Sequence, residues 1–276
     1  MPIKKTRLYV LDNGELMIDK NVFLKNGNVT CTSDKESRFM KIPIYTVFID
    51  HPEGKILFDT SCYPQKDLEL LQEGLPYSTC NKEKSNYIIE RLEYLGVSPK
   101  DIQYVVISHL HFDHAGCLEI FPNARIIVHE DELFYTLKHF QLKTLPLGYV
   151  EKDVAKWLRM NLHWKTVKRH EKKIMLVEGV EILNFGSGHT WGVLGMRINL
   201  QNTGIIILVS DAVYSREHYI LPIQLPSEDA IYDLKGYLET IKEIRNYARE
   251  GQVQIWFGHD NIQFQSLIKS TEGYYE

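Results

Sequence analysis

Apolar and polar positions alternate along this chain in a pattern that predicts strands interleaved with helices. In the first half, β-branched and aromatic runs predict strands over residues 42–50, 55–59, 102–107 and 125–128. The first two are separated by a short turn, so they form a predicted hairpin. Apolar residues at helical spacing predict helices over 84–95 and 131–140, the first of which stops at Gly96. Residues 141–173 lack a clean period, and we interpret 135–170 as a helical insertion.

The second half repeats this alternation. Strand pairs are predicted over 174–185 and 193–209, and a last strand over 253–257. A long helix precedes the last strand, with Ser227 as its predicted cap and Gly251 at its end. Its apolar face is expected to carry Ile231, Leu234, Leu238, Ile241 and Ala248. The order of elements predicts an α/β fold in which two sheets pack face to face with helices outside, a four-layer αββα sandwich.

The composition is that of an ordinary globular protein, and it narrows the class of partner. The 276 residues carry a net charge of −4, and no basic stripe of the kind that binds nucleic acid stands out. No linker divides the chain, so residues 1–276 are expected to form a single domain. The longest apolar run, Ile205–Val209, is too short to span a membrane. Scattered cysteines at 31, 62, 80 and 117 favour a soluble cytoplasmic protein with reduced thiols and no membrane partner.

A dense group of metal-binding side chains follows the strand predicted over 102–107. His109, His111, Asp113 and His114 lie within six residues. Alternate residues of a strand end point to the same side, so His109 and His111 converge, while Asp113 and His114 follow round the next turn. Imidazole and carboxylate groups suit Zn, Fe, Mn or Co ions. The cluster therefore predicts a metal site, but it is too small to complete the coordination of two ions.

Three more candidate ligands stand at separate strand ends. His189 lies in a glycine-rich turn, Asp211 follows the apolar run that ends at Val209, and His259 follows the last strand. An ionised carboxylate behind a buried strand needs a partner, because an isolated charge is costly to bury. Each of these residues alone is equally compatible with an ordinary loop role. Together with the cluster they indicate a centre of two divalent metal ions, for which Zn is the expected metal.

This set of residues resembles the metallo-β-lactamase superfamily over nearly the whole chain, from the segment around Asp59 to His259. The resemblance implies a fold of two mixed sheets flanked by helices. It also implies that Asp59 buttresses the site from behind, although Ser61 replaces the usual glycine of that turn. By the family pattern, one ion is held by His109, His111 and His189, the other by Asp113, His114 and His259, and Asp211 bridges the two.

Within the superfamily the chain resembles the N-acyl-homoserine lactonases, the branch that degrades quorum-sensing signals. Tyr214 stands three residues after Asp211, as in that branch, and the intervals from His189 to Asp211 and from Asp211 to His259, 22 and 48 positions, are similar. The resemblance implies a metal-dependent hydrolase, often a homodimer, that opens the lactone ring of a small-molecule substrate. The stretch after the cluster is longer than in compact relatives, and 135–170 is expected to lie over the active site.

The implied mechanism uses a hydroxide that bridges the two ions to attack the lactone carbonyl. Tyr214 is expected to donate a hydrogen bond to the carbonyl oxygen as negative charge develops there. Asp113 is expected to carry a proton from the nucleophile to the departing ring oxygen. Phe112 either contacts the substrate or packs beneath the cluster. The resemblance alone suggests an acyl-chain groove lined by Met17, Leu16 and Phe23.

Other functions stay open on the sequence. A glyoxalase II-like thioester hydrolase uses the same ligands but needs basic residues for the glutathione carboxylates, and no strong basic cluster stands near these ligands. A hydrolase of small γ-lactones such as γ-butyrolactone is a further alternative.

Other functions of this superfamily are less compatible with the residues. Asp211 and His114 do not match the cysteine-containing site of a β-lactamase, and His111 stands where a flavodiiron oxidoreductase has a glutamate. A nuclease lacks its basic patch here, and Tyr214 argues against a metal-binding scaffold without turnover.

Overall fold

Two mixed β-sheets stand at the centre of the fold, seen in a computed structural model that describes residues 5–25, 39–63, 78–249 and 251–276. The first sheet contains β1 (Arg7–Asp19), β2 (Phe39–His51), β3 (Gly54–Phe58), β4 (Ser78–Asn81), β5 (Ile102–Val106), β6 (Arg125–His129) and β7 (His163–Val167). Its strand order is β4-β1-β2-β3-β5-β6-β7. The pairs among β1 to β4 are antiparallel, whereas β3, β5, β6 and β7 run parallel.

The second sheet contains β8 (Lys173–Val177), β9 (Val180–Gly186), β10 (Val193–Leu200), β11 (Gly204–Ser210) and β12 (Val253–Phe257). Its order is β12-β11-β10-β9-β8. Neighbours from β8 to β11 pair antiparallel, and β12 runs parallel to β11. Both sheets are therefore mixed, as the resemblance implied.

Helices flank this pair of sheets. They are α1 (Lys20–Phe23), α2 (Ile88–Tyr94), α3 (Phe112–Ala115), α4 (Glu130–Leu142), α5 (Glu151–Arg159), α6 (Leu234–Tyr247) and α7 (Asn261–Ser266). Leu92 of α2 and Trp157 of α5 are buried in one apolar cluster with β5 and β6. Ile241 and Ile244 of α6 are buried in another with β9 and β11.

The inner faces of the two sheets meet in a third apolar cluster. Val47 and Ile49 of β2 pack in it with Leu194 and Met196 of β10, and all four side chains are fully buried. Burial of apolar surface stabilises this interface by roughly 25 cal/mol for each Å² removed from water. The predicted αββα sandwich is therefore confirmed.

Several predicted elements are found close to their expected positions. The hairpin is formed by β2 and β3, and the strands predicted near 102, 125 and 253 are β5, β6 and β12. The predicted strand pairs correspond to β8–β9 and β10–β11. The helix predicted over 84–95 is a 3-10 turn followed by α2, and Gly96 after it has a φ of 69°, the left-handed conformation of a helix end. Three strands, β1, β4 and β7, were not predicted.

The start predicted for the long helix was wrong. Ser227 precedes only a short 3-10 turn and makes no side-chain capping bond, and Ile231 has an extended backbone. Helix α6 begins at Leu234, where the Asp233 carboxylate accepts the backbone N–H of Gly236. The buried face also differs from the predicted one, since Leu234 is exposed and only Ile241 belongs to both. It carries Tyr237, Thr240, Ile241, Ile244 and Tyr247.

The segment 135–170 is helical only in part. It holds most of α4 and all of α5, but residues 163–167 form β7, which pairs with β6 in the first sheet. The description as a helical insertion is therefore wrong for that strand. Leu147 and Gly148, between the two helices, line the cavity described below.

The topology brings several strand ends to one edge of the sandwich. Strands β3, β5 and β6 end there in the first sheet, and β11 and β12 end together in the second. Among the described residues, no helix has the length and apolar character needed to cross a bilayer. Cys62, Cys80 and Cys117 are buried and form no disulfide, and Cys31 lies outside the described residues.

Candidate metal centre

All seven predicted ligands meet at the edge where the strands end. His109 follows β5, and α3 begins directly after His111, so its first turn carries the next two candidates, Asp113 and His114. The remaining three come from the second sheet. They are His189 in the turn between β9 and β10, Asp211 after β11, and His259 after β12. Six of the seven side chains are buried, and His111 is half-buried.

Three of the histidines form a first group. One nitrogen atom from each of His109, His111 and His189 lies within 4.8 Å of the others. His189 Nε2 is 3.1 Å from His111 Nδ1. A second group combines Asp113, His114 and His259, again within 4.8 Å. Asp113 Oδ2 is 3.5 Å from Nε2 of both histidines in that group.

Asp211 stands between the two groups. Its Oδ2 is 3.4 Å from His189 Nε2 and 3.8 Å from His109 Nε2. Its Oδ1 is 3.1 Å from His259 Nε2 and 3.4 Å from His114 Nε2. Each carboxylate oxygen therefore faces a different group of nitrogen atoms, which is the arrangement of a bridging ligand.

Unpaired polar atoms test whether this arrangement suits metal ions. His109 Nε2 and His114 Nε2 are buried and have no hydrogen-bond partner among the described residues. A buried polar atom without a partner costs about 1–3 kcal/mol unless something else binds it. The donors are imidazole nitrogens and carboxylate oxygens, which zinc and similar divalent cations accept. The residues present therefore fit a pair of divalent cations.

The nitrogen atoms that face away from the centre are held by the protein. His259 Nδ1 is 2.9 Å from the Pro43 carbonyl oxygen, and His189 Nδ1 is 2.8 Å from that of Ala230. A proton on each Nδ1 leaves the Nε2 lone pair free to point at the centre, as in histidines that bind metals.

Asp59 binds the Nδ1 atom of His114, which also faces away from the centre. Its Oδ2 is 2.8 Å from His114 Nδ1, and its Oδ1 accepts the backbone N–H of Ser108 at 2.7 Å. Asp59 and Ser61 have φ values of 62° and 65°, so this turn keeps a left-handed backbone although a serine replaces the glycine.

Burial sets the charge state of the first group. It lowers the pKa of His109, His111 and His189, and neighbouring histidines lower the pKa values further. These imidazoles are therefore neutral at pH 7, which is the form that binds a metal ion.

In the second group and at Asp211, neighbouring charges outweigh the effect of burial on the pKa values, unlike in the first group. Burial alone would raise the pKa of Asp211, but His259 and His114 hold it well below its usual range. Burial likewise opposes a charged His114, yet Asp113, Asp211 and Asp59 raise its pKa well above the ordinary value. Carboxylates that hold a proton on His114 in this way also attract a metal cation to the same place.

Comparison with known proteins agrees with this arrangement. A family model described as the metallo-beta-lactamase superfamily matches residues 41–250. The chain belongs to this superfamily. An N-acyl homoserine lactonase AiiB from Agrobacterium fabrum is 38% identical over 98% of this chain and 99% of that protein. The N-acyl homoserine lactonase of Bacillus cereus is 28% identical over 94% of both. The predicted resemblance to the lactonase branch of the superfamily is confirmed.

Solved structures show the same metallo-beta-lactamase architecture. A quorum-quenching N-acyl homoserine lactone lactonase superposes with a TM-score of 0.77 at 25% identity and covers the whole of both chains. An N-acyl homoserine lactone hydrolase with the product N-hexanoyl-L-homoserine bound at its metal centre has a TM-score of 0.78 at 24% identity, over 99% of this chain and 100% of that one.

A cavity of about 190 Å³ opens onto the centre of this superfamily member. Its walls are mainly apolar, with contributions from β1, α1, β2 and the segment before α5. The apolar lining consists of Leu16, Ile18, Val22, Phe23, Ile42, Phe112, Leu147, Tyr214 and Ala230. Phe112 packs in an apolar cluster with Leu16 and Ile42 and also lines the cavity, so its contact with substrate stays a prediction.

Met17 does not belong to this lining, so the structure does not support its predicted contact with the substrate. Side chains alternate between the two faces of a strand, and Leu16 and Ile18 of β1 face the cavity. Met17, between them, points to the opposite face. Leu16 and Phe23, suggested with it, do line the cavity.

Tyr214 joins the cavity to the centre. Its hydroxyl is 3.0 Å from His189 Nδ1, and its ring stacks on Phe23 with centroids 5.4 Å apart. Because His189 Nδ1 carries the proton that it shares with the Ala230 carbonyl, the hydroxyl hydrogen of Tyr214 is free to point elsewhere. Burial raises the pKa of Tyr214 well above its ordinary value, so the hydroxyl stays protonated.

Gly148 allows the loop after α4 to approach the centre. It has a φ of 91°, and a Cβ there would lie 2.7 Å from the ring of His111. Its carbonyl accepts the backbone N–H of Phe112 at 2.9 Å.

Two further contacts were missed at the sequence level. Ser108 bonds to Asp59 through both its backbone and its hydroxyl, and that hydroxyl is 3.1 Å from His109 Nδ1. Its position directly before the first ligand was a usable signal. The Ala230 carbonyl offered none, because 41 residues separate it from His189.

Proposed function

We propose that this protein is a dinuclear metal-dependent lactonase that opens the ring of N-acyl homoserine lactones. The observation that carries the proposal is the position of Asp211, whose two oxygens face two separate groups of nitrogen atoms. Relatives named N-acyl homoserine lactonase, 38% identical over nearly the full chain, support the substrate class.

The ligand roles are part of this proposal. One ion is assigned to His109, His111 and His189, the other to Asp113, His114 and His259, with Asp211 shared. Asp59 holds His114 in place through the bond to its Nδ1. Zinc is the proposed metal because its preferred donors are those present, although Fe, Mn and Co accept the same set.

When two divalent cations are bound, they supply hydroxide at neutral pH and stabilise negative charge on a carbonyl oxygen. The protein's own residues complete the reaction. Tyr214 donates its hydroxyl hydrogen to the lactone carbonyl oxygen as charge develops there. Asp113 faces His114 and His259 through Oδ2. We therefore assign the proton that Asp113 takes from the attacking hydroxide to its other oxygen, Oδ1. From Oδ1 the proton passes to the ring oxygen as the C–O bond breaks, which gives a free hydroxyl on the product.

The cavity supports an acylated substrate over a small or charged one. Leu16, Ile18 and Ile42 offer an apolar wall for a hydrocarbon chain, and Phe112 is proposed to contact it. The described lining contains no lysine or arginine to bind the carboxylates of a glutathione thioester. A small γ-lactone would leave most of this apolar wall without contact.

A substrate panel on zinc-loaded protein tests the proposal. N-hexanoyl and N-decanoyl homoserine lactones, γ-butyrolactone, S-lactoylglutathione and a β-lactam are compared by proton release, with Asp211→Asn as the inactive control. We expect the acylated lactones to have the highest kcat/KM, and activity to vanish with a chelator and return with zinc. Preferential hydrolysis of the thioester, or no hydrolysis of any lactone, would overturn the assignment.

Three finer expectations accompany the proposal. The four cysteines without a predicted disulfide support a reducing, cytoplasmic location. The homodimer is expected from the lactonase resemblance, and light scattering of the purified protein tests it. The role of 135–170 as a cover over the active site is supported by Leu147 and Gly148 in the cavity wall.

A further inference from the structure

Glu132 is a carboxylate buried completely in the first turn of α4, outside the ligand set and the cavity lining. Its Oε1 accepts the backbone N–H of Leu110 at 2.9 Å and the hydroxyl of Tyr149 at 2.7 Å. Its Oε2 accepts the backbone N–H of Gly192 at 3.2 Å. A buried carboxylate with three donors at these positions is unusual enough to need an explanation, because burial penalises its charge.

These bonds join two segments that are far apart in the sequence. Leu110 lies between His109 and His111, and Gly192 lies three residues after His189. The Tyr149 ring packs edge-on against that of His111, with centroids 4.6 Å apart. A single side chain on α4 is therefore bonded to both segments that supply the first group of histidines.

We infer that Glu132 is a positioning residue that fixes the His109–His111 segment and the His189 segment relative to one another. Through them it sets how tightly the first of the two proposed ions is held. The inference rests on the proposed metal-dependent function, but it concerns binding of the ion rather than turnover. Residues behind the ligands of a metal commonly set its affinity, and their loss costs 10–100-fold.

The chemistry of the side chain explains why a carboxylate stands at this position. All three partners are donors, and an ionised carboxylate is an acceptor at both oxygens. A glutamine of the same shape offers one oxygen and one NH₂ group, so one of the partners would face a second donor. Burial raises the pKa of Glu132, and the hydrogen bonds from Leu110, Tyr149 and Gly192 lower it again, so these three donors favour the ionised form.

Metal affinity of Glu132→Gln tests the inference. Zn²⁺ binding to the full-length protein is measured by competition with a chromophoric chelator, and the visible spectrum is recorded after loading with Co²⁺. We expect one of two ions to bind about 10–100-fold more weakly and the Co²⁺ spectrum to change. Asp153→Asn is the matched control, because Asp153 is another buried carboxylate at the start of a helix. Its affinity and spectrum should equal those of the wild type.

The outcomes separate this inference from the proposed function. If the wild type binds no pair of ions, the proposed function fails. If the wild type binds two ions and a folded Glu132→Gln protein binds both as tightly with an unchanged Co²⁺ spectrum, the inference fails alone. Should that variant not fold, Tyr149→Phe decides, because it removes one donor and keeps the carboxylate. Weaker binding of one ion and an altered Co²⁺ spectrum then support the inference, and wild-type affinity with a wild-type spectrum overturns it.

Discussion

The carboxylate of Asp211 packs directly against the backbone of Gly258. A Cβ at position 258 would lie 2.6 Å from Asp211 Oδ1 and 2.8 Å from the carbonyl carbon of Ser210. Two parallel strands, β11 and β12, end side by side here, and each delivers a proposed ligand within one or two residues of its end. The missing side chain at Gly258 therefore allows Asp211 and His259 to reach the same point.

Gly258→Ala is expected to displace the Asp211 carboxylate. The new methyl group also contacts the backbone of Ser210, which cannot move as easily as a side chain. Zinc affinity and kcat/KM should fall about tenfold or more, and the zinc content of the purified protein should fall with the affinity. The free energy of unfolding of the metal-free protein should fall by about 1–3 kcal/mol, the usual result of overpacking. Elemental analysis, lactone hydrolysis assays and urea unfolding measure these three effects.

Gly273→Ala is the control for that variant, since a Cβ there meets only a side-chain methyl of Ile268 at 3.3 Å. Wild-type zinc content in Gly258→Ala would show that Asp211 does not depend on this close approach.

Asp211→Asn tests the bridging role itself. An amide keeps one oxygen but turns an NH₂ group toward one set of histidine nitrogens, so it cannot serve both groups. We expect at least one ion to be lost from the purified protein, and lactone hydrolysis to be lost with it. Elemental analysis gives the metal content, and Asp153→Asn serves again as the control, because Asp153 is a buried carboxylate outside the ligand groups and the cavity lining. A variant that binds two ions and keeps full turnover would show that Asp211 does not bridge them.

The candidate ligands were readable from the sequence because each one follows a strand that is apolar enough to recognise. His109, Asp211 and His259 stand one to three residues beyond β5, β11 and β12, so local pattern and position were sufficient. The cavity was harder, because its walls depend on which face of β1 points inward. A shift of one residue in a strand exchanges the two faces, and that is why the sequence suggested Met17 together with Leu16 and missed Ile18.

Two of the missed strands, β1 and β7, were missed for different physical reasons. In β1 the alternation is broken by a bulge between Asp12 and Glu15, around a glycine with a φ of 94°. Strand β7 lies at the edge of its sheet, where His163 and Lys165 are exposed and obscure any apolar period. Glu132 was invisible for a different reason, since its partners lie 17 to 60 residues away along the chain.

Tyr214→Phe is expected to reduce turnover while leaving the metal ions in place. The hydroxyl is lost from a group that stays protonated because burial raises its pKa, and no proposed ligand atom is removed. Loss of one donor to a developing oxyanion costs up to about 100–1,000-fold when it acts alone. A smaller fall, about tenfold, is expected here because bound cations share the charge.

The kinetics of that variant separate catalysis from packing. The fall should appear in kcat more than in KM, because the bond forms as charge develops. Tyr237→Phe removes another buried hydroxyl, on α6, and should retain wild-type kcat. Unchanged kcat in Tyr214→Phe would exclude the tyrosine from the mechanism.

Asp153 predicts a pH dependence of stability that is independent of the metal centre. Burial raises the pKa of Asp153 from 3.8 to about 7, whereas in the unfolded chain the group titrates near 3.8. Between these two values the folded protein holds a proton that the unfolded chain has released. Stability from this group is therefore fully present below about pH 4, falls as pH rises toward 7, and stays low above 7.

Asp153→Asn should remove this loss of stability with rising pH, because the amide does not titrate. Between pH 5 and pH 8 the free energy of unfolding of the wild type should fall by about 2–3 kcal/mol more than that of the variant. Urea unfolding of the metal-free proteins at the two pH values measures the difference. Glu93→Gln, at an exposed position on α2, should retain the wild-type dependence. Parallel stability curves for wild type and Asp153→Asn would mean that Asp153 is ionised in the folded protein well below pH 7.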